Sequence, residues 1–120
     1  MIVKPVQANN PTFGYSHPLK TLYKKGQLPI KRGFYGEPLT TKNVSLEHLK
    51  PKSKGGKTQL NNLVLATKET NNRRGDKPLK EFLNLKAMTN YLKQFKNIKI
   101  KGFDGNEYIK MILKTIGEIL

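Results

Sequence analysis

The sequence predicts an α+β fold: a two-stranded hairpin running into a short helix, extended by further helices and preceded by an irregular arm. Three observations carry this. In residues 44–49, VSLEHL, Val44, Leu46 and His48 alternate with Ser45, Glu47 and Leu49, which is the period of a strand. Residues 63–66, LVLA, form a short apolar run that can return beside the first strand. Further on, Leu79, Phe82, Leu83, Met88, Tyr91, Leu92 and Phe95 mostly recur at steps of three and four, the spacing of a helical face.

The elements follow in order. Residues 1–17 contain Pro5, Asn9, Asn10, Pro11 and Gly14 without periodicity and read as an irregular arm. A helix is expected over residues 18–25, opened by Pro18, with Leu19, Leu22 and Tyr23 on one face and Gly26 at its end. The Gly-, Pro- and Thr-rich segment 30–43 suggests a turn or loose hairpin leading into the strand at 44–49, which Pro51 ends. Residues 51–62 form a polar loop with three lysines and the Gly55-Gly56 pair. Thr67 is a good N-cap for KETNNRR, and Gly75 is suited to terminate that helix. Pro78 opens a second helix carrying the apolar stripe through Phe95. Asp104 with Glu107 outlines a capping box for a last helix expected to bury Ile109, Ile112, Leu113, Ile116 and Leu120. The expected organisation is an arm with its short helix at 1–32, a hairpin-plus-helix core at 33–80 and a helical extension at 81–120, together one domain of 120 residues.

Composition narrows the function classes. With 36% apolar and 26% charged residues, the chain suits a folded globular protein, and no apolar run approaches the roughly 18 residues of a membrane span. The amino terminus meets Pro5 and Asn9 before any long apolar stretch and does not resemble a secretory signal, which points to the cytosol. The absence of cysteine excludes disulfides and thiolate-bound metals, so any metal must sit on oxygen or imidazole. Twenty-three Lys and Arg against eight Asp and Glu give a formal charge of +15, which favours a polyanion, nucleic acid foremost, as partner.

The hairpin delivers an acid and a base side by side. His48 has an imidazole whose ordinary pKa near 6.5 suits proton acceptance at neutral pH. Glu47 beside it offers a hard carboxylate for a divalent ion, and Asn71 in the following helix offers an amide oxygen, a set that suits magnesium with its retained waters. Neighbouring residues of a regular strand point to opposite faces, so convergence of Glu47 and His48 requires an irregularity near Leu49 or Lys50. Lys50, Lys52, Lys54, Lys57, Arg73 and Arg74 are candidate phosphate contacts, with Lys86, Lys93, Lys96, Lys99 and Lys101 extending the basic track. His17, beside Pro18, reads as incidental.

Taken together, LEHLKPKSKGG, then NNLVLA beginning thirteen residues after His48, then TNNRRGD, resemble the HNH endonuclease motif, also called the ββα-metal fold, over about residues 33–80. The resemblance implies that Glu47 is the acidic metal ligand and His48 the general base that activates water. It implies that Asn62 braces the loop and helps orient the histidine, and that Asn71 is the last motif residue, which also binds metal. The implied activity is hydrolysis of a DNA phosphodiester with Mg2+ or Mn2+, leaving a 5′-phosphate and a 3′-hydroxyl. Many small members carry two CxxC pairs that hold a structural zinc; here the matching places read GFYGEP and ATKETN, so no structural zinc is expected. That is similar to the HNH domains of RNA-guided CRISPR nucleases, with Phe34, Tyr35 and the 79–95 helix as candidates for the replacing packing. Glu in place of the more frequent Asp before the histidine is a smaller departure. A protein partner or homodimer is compatible with this reading. The alternatives are a non-cleaving nucleic-acid-binding module on the same scaffold and a basic ribosome- or RNA-associated protein, the last of which leaves Glu47, His48 and Asn71 unexplained.

Overall fold

The central hairpin forms where the alternation places it. The structure, a computed structural model, describes residues 17–120, so the expected irregular arm lies outside the described residues except for His17. Strand β1 (Val44–His48) pairs antiparallel with β2 (Leu63–Thr67), Val44 opposite Thr67 and His48 opposite Leu63. The ladder continues one step beyond each end, through Lys68 N–H to Asn43 O at 2.8 Å and Leu49 N–H to Asn62 O at 2.9 Å. Antiparallel pairing alternates, so the backbone groups of Leu46 and His48 turn away from β2 toward the open edge of this two-stranded sheet.

The outer edge of β2 is covered from inside the molecule. Every residue of β2 is buried, which its continuous apolar sequence allows. Leu65 N–H donates to the Tyr91 hydroxyl at 2.9 Å, and the Tyr108 hydroxyl donates to Leu63 O at 2.8 Å. The two hydroxyls lie 2.8 Å apart, and since the Tyr108 proton goes to Leu63, Tyr91 donates to Tyr108. Leu65 O accepts from Phe34 N–H at 2.8 Å. These bonds satisfy an edge that would otherwise invite pairing with another chain.

Helices flank this ribbon. Helix α1 (Pro18–Lys24) packs on β1 through its buried face of Leu19 and Tyr23. Helix α2 (Lys68–Arg74) follows β2 directly, capped by the Thr67 hydroxyl, which accepts from Thr70 N–H at 3.1 Å, and closed by Gly75 at φ 57°. The expected continuous helix from Pro78 to Phe95 is instead two, α3 (Leu79–Phe82) and α4 (Leu85–Lys93). The break has a local cause: Leu83 is extended, and the Asn84 side chain accepts from Ala87 N–H at 2.9 Å, starting a new helix. A small hairpin that the sequence reading did not anticipate follows, β3 (Lys99–Ile100) with β4 (Phe103–Asp104), turned by Gly102 at φ 81°. Helix α5 (Gly105–Ile119) begins with Asp104 accepting from Glu107 N–H at 3.1 Å. It buries Tyr108, Ile112 and Ile116, four residues apart, whereas Leu113 and Leu120, expected to be buried, are 47% and 58% exposed. Leu113 lies one position round from that stripe and Leu120 beyond the helix end.

The buried apolar residues form one cluster from Leu19 to Ile116. Phe34 is fully buried and meets Tyr35 and Tyr91 edge to face, with centroids at 5.1 and 5.7 Å, so the 33–35 segment is fixed by aromatic packing. Among the described residues no helix is long and apolar enough to cross a membrane.

Candidate functional site

The end of β1, the loop after it and α2 hold the motif residues in different environments, and among the described residues no hydrogen bond joins Glu47, His48 and Asn71 to one another. Strand alternation sends Ser45 and Glu47 toward α2. Glu47 is 2% exposed, and its Oε2 accepts from the Tyr35 hydroxyl and from Arg74 Nη1 at 3.0 Å. Burial pushes the Glu47 carboxyl pKa up, and the bonds from Tyr35 and Arg74 pull against it. Tyr35 in turn is pushed above the ordinary tyrosine range, chiefly by burial and then by the Glu47 charge.

Arg74 corrects the sequence reading. Expected to contact phosphate, it is 1% exposed and each nitrogen of its guanidinium is bonded inside the protein: Nη1 also donates to His48 O, Nη2 to Leu49 O and Nε to Lys77 O, each at 2.9 Å. It is an internal brace that holds the chain where β1 ends, giving a partner to His48 O on the open edge and to Leu49 O at the bend that follows. Only the fixed fork of an arginine reaches three carbonyls and a carboxylate together.

Asn71 docks α2 onto the open edge of β1. Its Nδ2 donates to Leu46 O at 2.9 Å and to Ser45 Oγ at 3.1 Å. Leu46 O can only accept, so the amide is oriented with its Oδ1 turned away, and Oδ1 has no partner among the described residues. The hard oxygens available are therefore Asn71 Oδ1 and the second oxygen of Glu47, Oε1, also without a partner among the described residues. Among the described residues there is no group of three or more His, Cys, Asp or Glu arranged for a metal.

His48 is half-buried, and its Nε2 lies 2.9 Å from Thr58 Oγ1. In the tautomer that donates from Nε2 to Thr58, Nδ1 keeps its lone pair. Burial lowers the His48 pKa, helped by the charges of Lys52 and His17, which keeps the ring neutral and able to accept a proton. Thr58 was missed in the sequence reading, where only the order of polar loop residues could have suggested it. Asn62, expected to brace the loop and help orient the histidine, does the bracing directly. Its Oδ1 accepts from Lys50 N–H at 2.8 Å, and its Nδ2 donates to Lys50 O and Lys57 O at 3.1 and 3.0 Å. The ring itself is held by Thr58, next to Lys57, so Asn62 acts on His48 through the loop. Gly56 is required at the loop's closest approach, since a Cβ there would lie 1.7 Å from Lys50 O.

Lys50, Lys52, Lys54, Lys57 and Arg73 are exposed as expected. Lys50, Lys54 and Lys57, with Lys80, border a cleft of about 650 Å³ between the loop and the end of α5, floored by Leu49, Leu79 and Ile119. Glu47, His48 and Asn71 do not line it. His17, which the sequence reading set aside, is 9% exposed, and its Nδ1 accepts from Leu19 N–H at 3.1 Å as the N-cap of α1. Compared with protein-family models, with curated proteins and with solved structures, the chain matches none.

Proposed function

We propose that this protein is a divalent-metal-dependent DNA endonuclease of the HNH type, its hairpin and α2 forming a zinc-free ββα-metal core. One observation carries the reading. A neutral, half-buried histidine is held at Nε2 by Thr58 at the end of β1, and on the same open edge an asparagine is anchored by its nitrogen with its oxygen left over. Binding alone does not require either arrangement.

His48 Nδ1 takes a proton from water, whose oxygen bonds to phosphorus while the phosphorus–O3′ bond breaks; the 3′ oxygen leaves as the hydroxyl after taking a proton from solvent. Asn71 Oδ1 and Glu47 Oε1 are the atoms that would hold a magnesium or manganese ion, which supplies neutralisation of the charge growing on the phosphate and leaving oxygen. Arg74 fixes Glu47 and the carbonyls after β1. The exposed lysines of the loop and Arg73 position the DNA backbone without reading bases.

A specific observation favours a second reading, a non-cleaving nucleic-acid-binding module: Glu47 already gives one oxygen to Arg74 and Tyr35. Supercoiled plasmid separates the two. Under the nuclease reading, protein with Mg2+ or Mn2+ nicks or linearises it, EDTA stops the reaction, and the ends are ligatable 5′-phosphates. Salt-sensitive DNA binding with no cleavage under any divalent ion would establish the second reading.

A further inference from the structure

The cleft of about 650 Å³ beside the hairpin takes no part in the chemistry proposed for Glu47, His48 and Asn71, and its walls combine features that select a ligand. Leu49, Leu79 and Ile119 make an aliphatic floor, while Lys50, Lys54, Lys57 and Lys80 stand exposed around the rim. Among the described residues Glu118 is the one acid that lines it. Arg74 lines it too, and of the two N–H groups on its Nη2 one donates to Leu49 O while the other has no partner among the described residues. Gln59 and Asn61 bring two exposed side-chain amides to the same cleft, also without partners among the described residues. Thr115 Oγ1 donates to Asn61 O at 2.5 Å, which ties α5 to the loop and fixes the cleft before anything binds.

We propose that this cleft is a subsite for an unpaired nucleotide of a DNA strand, its phosphates meeting the rim lysines and the second Nη2–H of Arg74, its base lying on the aliphatic floor with an edge toward Gln59 and Asn61. The inference rests on the DNA partner of the nuclease reading, not on cleavage, and deepens that reading by making an unpaired stretch part of the substrate. The volume lies within the about 300–1,000 Å³ of sites that take small ligands, room for a nucleotide and not for a duplex. Phosphate answers the lysines, the ring removes the floor from water, and an amide, donor and acceptor together, matches the edge of a base. An acidic side chain carries acceptors only and leaves both amide oxygens unanswered. The same strand reaches the candidate site. The loop wall that carries Lys50 and Lys57 also carries Thr58, whose hydroxyl lies 2.9 Å from His48 Nε2, and two residues of chain, at most about 7 Å, separate His48 from Lys50.

Binding is measured with the full chain in EDTA, where nothing is cut, by the fluorescence anisotropy of a labelled thymidine oligonucleotide and of a blunt duplex with the same number of phosphates. Lys80→Glu alters the rim and Ile119→Gln the floor, neither touching Glu47, His48 or Asn71. Each should weaken binding of the single strand by about 10-fold and of the blunt duplex far less, with an unchanged melting temperature. Equal losses on the two probes, or none, overturn the inference. Should a variant unfold, 15N–1H spectra of the wild type decide instead. A 5′-phosphorylated thymidine dinucleotide should shift the side-chain amide resonances of Gln59 and Asn61 at a concentration where inorganic phosphate, and a Glu- and Leu-rich peptide of the same charge, do not. Equal shifts with phosphate make the cleft a simple anion site and equal shifts with the peptide make it a peptide site, and either overturns the inference. Single-strand binding in the cleft by a protein that cuts nothing under any divalent ion upholds the subsite and overturns the nuclease reading. DNA cleavage with both amide resonances unmoved by the dinucleotide overturns the subsite alone.

Discussion

Arg74→Met removes the guanidinium while keeping most of the side chain's length, and it strips four bonds at 2.9–3.0 Å, to Glu47 Oε2 and to the carbonyls of His48, Leu49 and Lys77. The partner left behind is decisive: the Glu47 side chain is 3% exposed, so water does not replace the lost charge. Breaking one side of a buried pair costs about 3–5 kcal/mol, a large part of the about 5–15 kcal/mol that holds a domain folded. At this chain length each kcal/mol moves the melting temperature by roughly 3–5 °C, so the expected fall is roughly 10–20 °C. Urea unfolding followed by circular dichroism measures the loss directly. Arg74→Met/Glu47→Gln should be more stable than Arg74→Met, with a coupling of about 1–3 kcal/mol, because the amide carries no unpaired charge. A single variant within about 1 kcal/mol of wild type, or a double variant no more stable than the single, would refute the assignment of Arg74 as the internal brace of Glu47.

Two further outcomes are expected. Thr58→Val keeps the shape of the side chain but frees His48 Nε2, and should lower the cleavage rate by about 2- to 10-fold with little change in melting temperature, while Thr58→Ser restores it; single-turnover kinetics checks this. Stability should fall as pH drops below about 6.5, because burial holds the folded-state pKa of His17 below its ordinary value and the unfolded chain then takes up protons first. His17→Asn should flatten this slope between about pH 7 and pH 5 in thermal melts, and an unchanged slope would assign it elsewhere.

Much of the backbone order was legible because short-range rules decide it. The alternation around Leu46, the Thr67 cap and Gly75 fix β1, the start of α2 and its end, and each signal lies within a few residues of its effect. Where competing local signals met, the reading failed: Asn84 caps a new helix inside what reads as a continuous apolar stripe. The side-chain environments were less accessible. Arg73 and Arg74 are identical in type and adjacent, yet one is exposed and the other 1% exposed, a difference set by which of them faces Glu47 and the carbonyls after β1. Thr58 meets His48 only because the loop folds back, a long-range approach that leaves no periodic trace.

The single-turnover rate of DNA cleavage by His48→Ala beside wild type, with equal Mg2+ and matched circular dichroism spectra, tests most directly whether His48 is the general base. Loss of a positioned general base predicts a rate lower by about 100- to 10,000-fold. Cleavage by His48→Ala at the wild-type rate, with a mock purification inactive, would contradict it.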